Sequence, residues 1–212
     1  MRVRKVVTRR GRHIRGYFPS KKRNEMVAWE SLLEKDALLL MELSPGVITY
    51  QEQPEEIPYW DGQAMCCYVP DLRVCLCNEL SLLVEVKPTD ELKRPSVKAK
   101  YERIAQHLAE QGEEFLLLTE KEIQQEPQYS NLRRLLYWYN HAPAQLPSNR
   151  EISMRLKGRD ESTVQDCLAL FGANNTYALI ATGLLATDMA LLLTPASLVY
   201  LPEGGRHAAI YF

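Results

Sequence analysis

The chain has 212 residues, 46% hydrophobic and 25% charged, a globular composition that excludes disorder, collagen-like repeats and a disulfide-stapled miniprotein. Its formal net charge of −1 hides an asymmetry: residues 1–23 carry ten Lys or Arg and no acid, leaving 16 basic against 27 acidic groups in the remainder, a balance of −11. The apolar-rich runs 177–187 and 189–202 are separated by Asp188 and interrupted by Pro195, so no membrane span is expected. Five cysteines without an apolar leader after Met1 predict reduced thiols and a cytoplasmic location.

The basic arm, residues 1–23, suits a polyanion, because each neutralised phosphate releases counterions. Arg9, Arg10, Arg12, Arg15, Lys21, Lys22 and Arg23 are therefore expected to contact DNA. Residues 24–43 then read as a helix, with Asn24 as N-cap, Glu25 in the first turn, and Leu33, Ala37, Leu40 and Met41 at helical spacing. Ser44-Pro45-Gly46 stops it. Strands are expected over 47–53, 65–69, 72–77 and 81–86, with a short extension at 57–59, as an antiparallel meander. Residues 95–108 fit a helix with Val97, Tyr101, Ile104 and Leu108 on one face, closed by Gly112. Lys98 lies on that helix and joins the expected DNA contacts. A strand at 115–119 and a helix at 132–139 complete the first domain, expected to span 24–141.

Residues 142–149 are the linker candidate. Beyond them, Ser162 and Gln165 form a capping box pattern before Val164, Cys167, Leu168 and Phe171. Gly172 ends that helix, a second runs to Gly183, and 197–201 reads as a strand. This predicts a small helical, winged-helix-like domain over 150–212. From Asp160 onward there is one basic residue, Arg206, against five acids, so the domain is read as a protein-docking module. Its leucines (Leu184, Leu185, Leu191, Leu192, Leu193) fit either a partner surface or a packed core. Tyr137-Trp138-Tyr139 is expected to cap a core or domain seam in preference to stacking on bases.

The chemistry concentrates in Pro70-Asp71 and, fourteen residues later, Glu85-Val86-Lys87. Strand alternation puts Glu85 and Lys87 on one face, with Asp71 across the hairpin. A carboxylate at the end of the apolar run 80–86 is costly to bury without compensation, and a divalent cation would supply it. Asp71 and Glu85 would hold Mg²⁺, with Mn²⁺ as a substitute, and the Val86 carbonyl would add a ligand. Lys87 would orient or deprotonate a water and stabilise developing charge, and Glu34 could add a carboxylate. Taken alone, Asp71, Glu85 and Lys87 also read as a plain ion-pair cluster. The cysteines contain no C-x₂-C pair, so a zinc knuckle is not expected.

The Pro70-Asp71 … Glu85-Val86-Lys87 arrangement resembles the PD-(D/E)xK nuclease superfamily. Within it the chain is most similar to the TnsA transposon endonucleases, over residues 26–125. The similarity rests on Ser31-Leu32-Leu33-Glu34, Leu43-Ser44-Pro45-Gly46-Val47, Gln51-Glu52-Gln53-Pro54, Tyr68-Val69-Pro70-Asp71, Val84-Glu85-Val86-Lys87-Pro88 and the 115–123 segment. The resemblance implies a restriction-endonuclease-like α/β fold, a mixed sheet flanked by helices. It implies Glu34, Asp71, Glu85 and Lys87 as catalytic residues, with Glu34 favoured over Glu30, which is expected on the same helix. It further implies cutting of the 5′ strand at transposon ends, beside a TnsB-like DDE transposase that handles the 3′ ends. A TnsC-like AAA+ regulator would bind the C-terminal domain. A stand-alone restriction or repair nuclease and a non-catalytic DNA-binding scaffold are the rival readings.

Overall fold

The computed structural model describes residues 14–156, 161–202 and 208–212. They form two compact units, one comprising residues up to Glu42 and Val47–Gln124, the other Gln125–Tyr211 with Leu43–Gly46.

The first unit opens on an antiparallel hairpin, β1 (Gly16–Ser20) and β2 (Glu25–Trp29), followed by α1 (Leu32–Leu43). The helix expected from Asn24 therefore starts eight residues late. Val27, Ala28 and Trp29 are buried as a strand against β1, and Asn24 takes the left-handed turn conformation (φ 54°) that its short side chain tolerates. Glu30 precedes the helix and is not on it. Ser31 starts α1 by accepting from Glu34 N (3.1 Å) at its hydroxyl and from Lys35 N (3.1 Å) at its carbonyl.

The turn between β1 and β2 is fastened to the far end of α1. Buried Glu42 accepts from Ser20 Oγ (2.7 Å), Tyr50 hydroxyl (2.7 Å), Lys21 N (2.8 Å) and Lys22 N (3.2 Å). Lys22 Nζ donates to Met41 O at 2.8 Å. Residues 16–23 thus belong to the β1–β2 hairpin and not to an arm. Arg9, Arg10 and Arg12 lie outside the described residues.

Next come β3 (Val47–Glu52), β4 (Ile57–Trp60), β5 (Met65–Tyr68), β6 (Leu72–Leu76) and β7 (Ser81–Val86). They do not form the expected continuous meander. β4 and β5 pair only with each other, and β3 pairs with β6 beyond them. After the short α2 (Thr89–Leu92), α3 (Pro95–Glu110) crosses to β8 (Glu114–Leu118), which lies parallel to β7. A parallel neighbour requires such a crossover. Pro95 at the first turn and Gly112 (φ 74°) past the last bound α3. The result is a four-stranded mixed sheet, β3-β6-β7-β8, flanked by helices. On one face, Leu83 packs with Tyr101, Ile104 and Leu108 of α3 and with Ile57, Tyr59 and Tyr68 of the β4–β5 hairpin. The short α4 (Glu120–Ile123), with a Thr119–Glu122 capping box, follows β8.

The second unit contains α5 (Gln128–Asn140), α6 (Asn149–Leu156), β9 (Ser162–Thr163), α7 (Val164–Ala181) and β10 (Leu198–Val199), the two strands forming an antiparallel ribbon. The expected boundary at 141 differs from this grouping, because α5 packs on α7: Trp138 stacks on Tyr177 with ring centroids 5.2 Å apart. Asn131 of α5 donates to Met189 O (3.2 Å) and Leu191 O (2.8 Å) and accepts from Leu193 N (2.9 Å). Tyr139 is buried while Tyr137 is exposed. The capping box of α7 uses Thr163 and Asp166, one residue beyond the expected pair. Gly172 (φ 77°, ψ 166°) breaks α7 where the sequence expects one helix to end. The leucines divide: Leu185 and Leu193 are buried, Leu191 and Leu192 exposed. Among the described residues, no helix is long and apolar enough to cross a membrane.

Candidate active site

Leu72 of β6 opposes Val84 of β7, so Asp71 sits beside the end of β7. Its Oδ2 accepts from Val86 N at 2.9 Å. Lys87, just past β7, places Nζ 2.7 Å from Glu85 Oε1, 3.1 Å from Val86 O and 3.6 Å from Asp71 Oδ2. Asp71, Glu85 and Lys87 therefore meet on one face.

Glu85, 3% exposed, is held by two groups that the sequence reading did not select. Tyr68 of β5 donates to Oε2 at 2.7 Å, and Tyr101 of α3 donates to Oε1 at 2.6 Å. Their sequence signal was present but ambiguous: a tyrosine on the apolar face of α3 looks like core until its hydroxyl is placed. Burial and then the Glu85 charge raise both phenols far above their ordinary range, so both remain donors.

Glu34, in the first turn of α1, accepts from Glu30 N at 2.7 Å through Oε2. It lines a small cleft with Asp71, Trp29, Glu30, Glu52 and Gln53. Glu52 is paired there with Arg23 (2.6 Å), which also pairs with Glu25, and Arg15 lies 3.9 Å from Glu30. Arg15 and Arg23, expected to meet DNA, are thus engaged with carboxylates of the protein. Lys98 stays exposed on α3, with Glu102 3.8 Å away.

The charges are unbalanced. Burial, reinforced by Glu85 and Glu34, pushes the Asp71 carboxyl well above the usual carboxylate range, although Lys87 and the Val86 N–H oppose the shift. Burial also raises Glu34 against the hydrogen bonds from Glu30 and Ser31. For Lys87, burial favours the neutral amine, but Asp71 and Glu85 override it and keep the ammonium.

Among the described residues, no group of three or more His, Cys, Asp or Glu side chains stands ready as a metal cage. The chemistry of the oxygens nevertheless fits a hard cation. Asp71, Glu85 and the Val86 carbonyl already surround one, the Lys87 ammonium. On the cleft wall beside Asp71, Gln53 Oε1 is buried with no hydrogen-bond partner. Carboxylate, carbonyl and amide oxygens are hard donors of the kind that can join the waters around Mg²⁺.

Residues 44–120 match the family model described as TnsA-like endonuclease N terminal, and no curated protein matches the chain. The matched segment covers the mixed sheet and α3, in keeping with a restriction-endonuclease-like fold. Residues 44–120, the segment that holds Asp71, Glu85 and Lys87, are therefore similar to the nuclease domain of the TnsA-like endonucleases.

Proposed function

We propose that this protein is the Mg²⁺-dependent endodeoxyribonuclease subunit of a heteromeric transposase, hydrolysing the 5′ strand at transposon ends. The observation that carries the reading is the meeting of Asp71, Glu85 and Lys87 at the end of β7, inside the segment matched to the TnsA-like nuclease domain. Asp71, Glu85, Glu34 and the Val86 carbonyl are the residues that would hold the ion. A divalent cation there would supply Lewis acidity, lowering the pKa of a bound water and offsetting phosphate charge.

The remaining roles belong to the chain. Tyr68 and Tyr101 fix both oxygens of Glu85, so the carboxylate faces the reaction in one orientation. The Val86 N–H fixes Asp71 in the same way. Lys87 is held as an ammonium by its acidic neighbours, which favours charge stabilisation and water orientation over proton abstraction. A TnsB-like transposase would supply the end sequence, and a TnsC-like AAA+ regulator would dock on the second unit, whose Leu191, Leu192 and Leu198 are exposed.

The test uses the full chain, its partner transposase and end-labelled transposon-end DNA. Cleavage of the 5′ strand is expected with Mg²⁺ and none with chelator. Equal DNA binding in both conditions, with no nicking in either, would identify a scaffold and sink the proposal.

A further inference from the structure

The cleft lined by Glu34 and Asp71 is also lined by two polar groups with no assigned role, Gln53 and Trp29. Gln53 is 6% exposed, yet its Oε1 has no hydrogen-bond partner, and Trp29, 9% exposed, has none at Nε1. Both residues line the cleft, which has room for roughly one water or ion. Buried amide oxygens and indole N–H groups are ordinarily satisfied by protein, water or ligand, so an unpartnered atom of each kind lining one cleft points to binding there. Gln53 requires a positive or donor face and Trp29 an acceptor. A divalent cation supplies the positive face to Gln53 Oε1, while Trp29 Nε1–H is left to a water at the cleft mouth.

The backbone points the same way. Gln53 is a non-glycine residue at φ 42°, a conformation that costs energy and persists only where surrounding structure enforces it. Here the enforcement is direct: Gln53 N donates to Asp71 O at 2.9 Å, locking the two residues together. The turn and the acid are thus joined by a backbone hydrogen bond, and Glu34 lines the same cleft. The two other acids on the cleft wall are answered by arginines, Glu52 by Arg23 and Glu30 by Arg15 at longer range. This leaves Glu34 and Asp71 as the pair available to a cation.

We infer that Gln53 is a cation-site residue, its Oε1 completing a hard-oxygen set with Glu34 and Asp71. The assignment rests on the nuclease reading for the identity of the ion. It adds a neutral ligand from outside the acid-and-lysine pattern, with the Trp29 indole on the cleft lining as its reporter.

The experiment is Mn²⁺ titration calorimetry on the full chain, backed by thermal unfolding in chelator. Gln53→Met, which keeps the volume and removes the oxygen, is expected to weaken Mn²⁺ binding about tenfold, the lower end for lost metal-site partners. Gln53→Glu, with an oxygen restored, should bind at least as tightly as wild type. In chelator, Gln53→Met should melt no lower than wild type, since it removes an unsatisfied buried acceptor. Unchanged affinity with a lowered melting temperature would show a purely structural residue and overturn the assignment. In ¹⁵N-labelled wild type, the Trp29 indole and Gln53 carboxamide resonances should shift on adding Mg²⁺, and stationary resonances would refute the inference without any variant. If wild type binds no Mn²⁺, the nuclease reading itself fails. If wild type binds and Asp71→Asn does not, while Gln53→Met binds normally, only the present inference fails.

Discussion

Replacing Lys87 with Met removes the cation that now occupies the oxygens of Asp71, Glu85 and Val86. Two effects of opposite sign follow. Without metal, Asp71 and Glu85 lose an ammonium 3.6 Å and 2.7 Å away, and their mutual repulsion is no longer offset. Unit charges at such distances interact by about 5–6 kcal/mol at an effective dielectric of roughly 20. Lys87 is 24% exposed, so part of this is screened. A net loss of about 2 kcal/mol is expected, between the values for exposed and buried pairs. For a unit of this size that lowers Tm by roughly 5–10 °C in chelator. With metal present the balance reverses: the ion no longer competes with an ammonium, and Mn²⁺ affinity should rise about tenfold, roughly 1.4 kcal/mol. On the proposed mechanism cleavage should be lost all the same, because the charge assigned to stabilise the reacting phosphate is gone. The assays are thermal unfolding with chelator or Mg²⁺ and calorimetric Mn²⁺ titration. A variant as stable as wild type in chelator, with no gain in affinity, would refute the competition between Lys87 and the ion.

Other expectations follow from the same neighbourhood. Tyr101→Phe and Tyr68→Phe each delete a hydrogen bond to a buried carboxylate; each should cost about 1.5–3 kcal/mol of stability and reduce kcat more than DNA affinity, measured by melting and single-turnover cleavage. The raised pKa of Asp71 means that its ionisation works against the metal-free fold. Its contribution is most favourable below the unfolded value near 4 and is lost as pH rises through the higher folded value. Asp71→Asn should therefore match wild type in chelator near pH 4 and become progressively more stable towards neutral pH, with Mg²⁺ closing the gap; thermal unfolding across pH 4–8 checks this. Glu42→Ala strands four donors at the β1–β2 turn and should destabilise the first unit by about 3 kcal/mol, read by denaturant unfolding.

Much of the site was legible because it depends on strand alternation. The two-residue period places Glu85 and Lys87 on one face wherever β7 forms, and the hairpin partner brings Asp71 to them. What alternation could not show was the hydroxyl chemistry of Tyr68 and Tyr101, since a tyrosine meets the apolar requirement of its face with its ring. Nor could it show the orphaned Gln53, whose significance lies in a partner it lacks. The hairpin at 16–29 reads as arm and helix in the sequence for a physical reason. Leu32, Leu33, Ala37, Leu40 and Met41 impose helical periodicity on their window, and the alternation of Glu25–Trp29 is too short to override it before β1 is paired. Basic residues 14–23 look like a solvated arm until Glu42, Glu52, Glu25 and Glu30 are found beside them. The start of α6 is marked in the sequence: Ser148, inside the expected linker, and Glu151, just beyond it, form a capping box.

The most direct test of the catalytic assignment is the product of transposition in a plasmid assay that supplies the partner transposase and regulator. Wild type should give simple insertions, because both strands are cut at each end. Asp71→Ala should still permit 3′-strand joining but leave the 5′ strand attached to the donor, giving cointegrates. Simple insertions at wild-type frequency from both Asp71→Ala and Lys87→Ala would contradict the account.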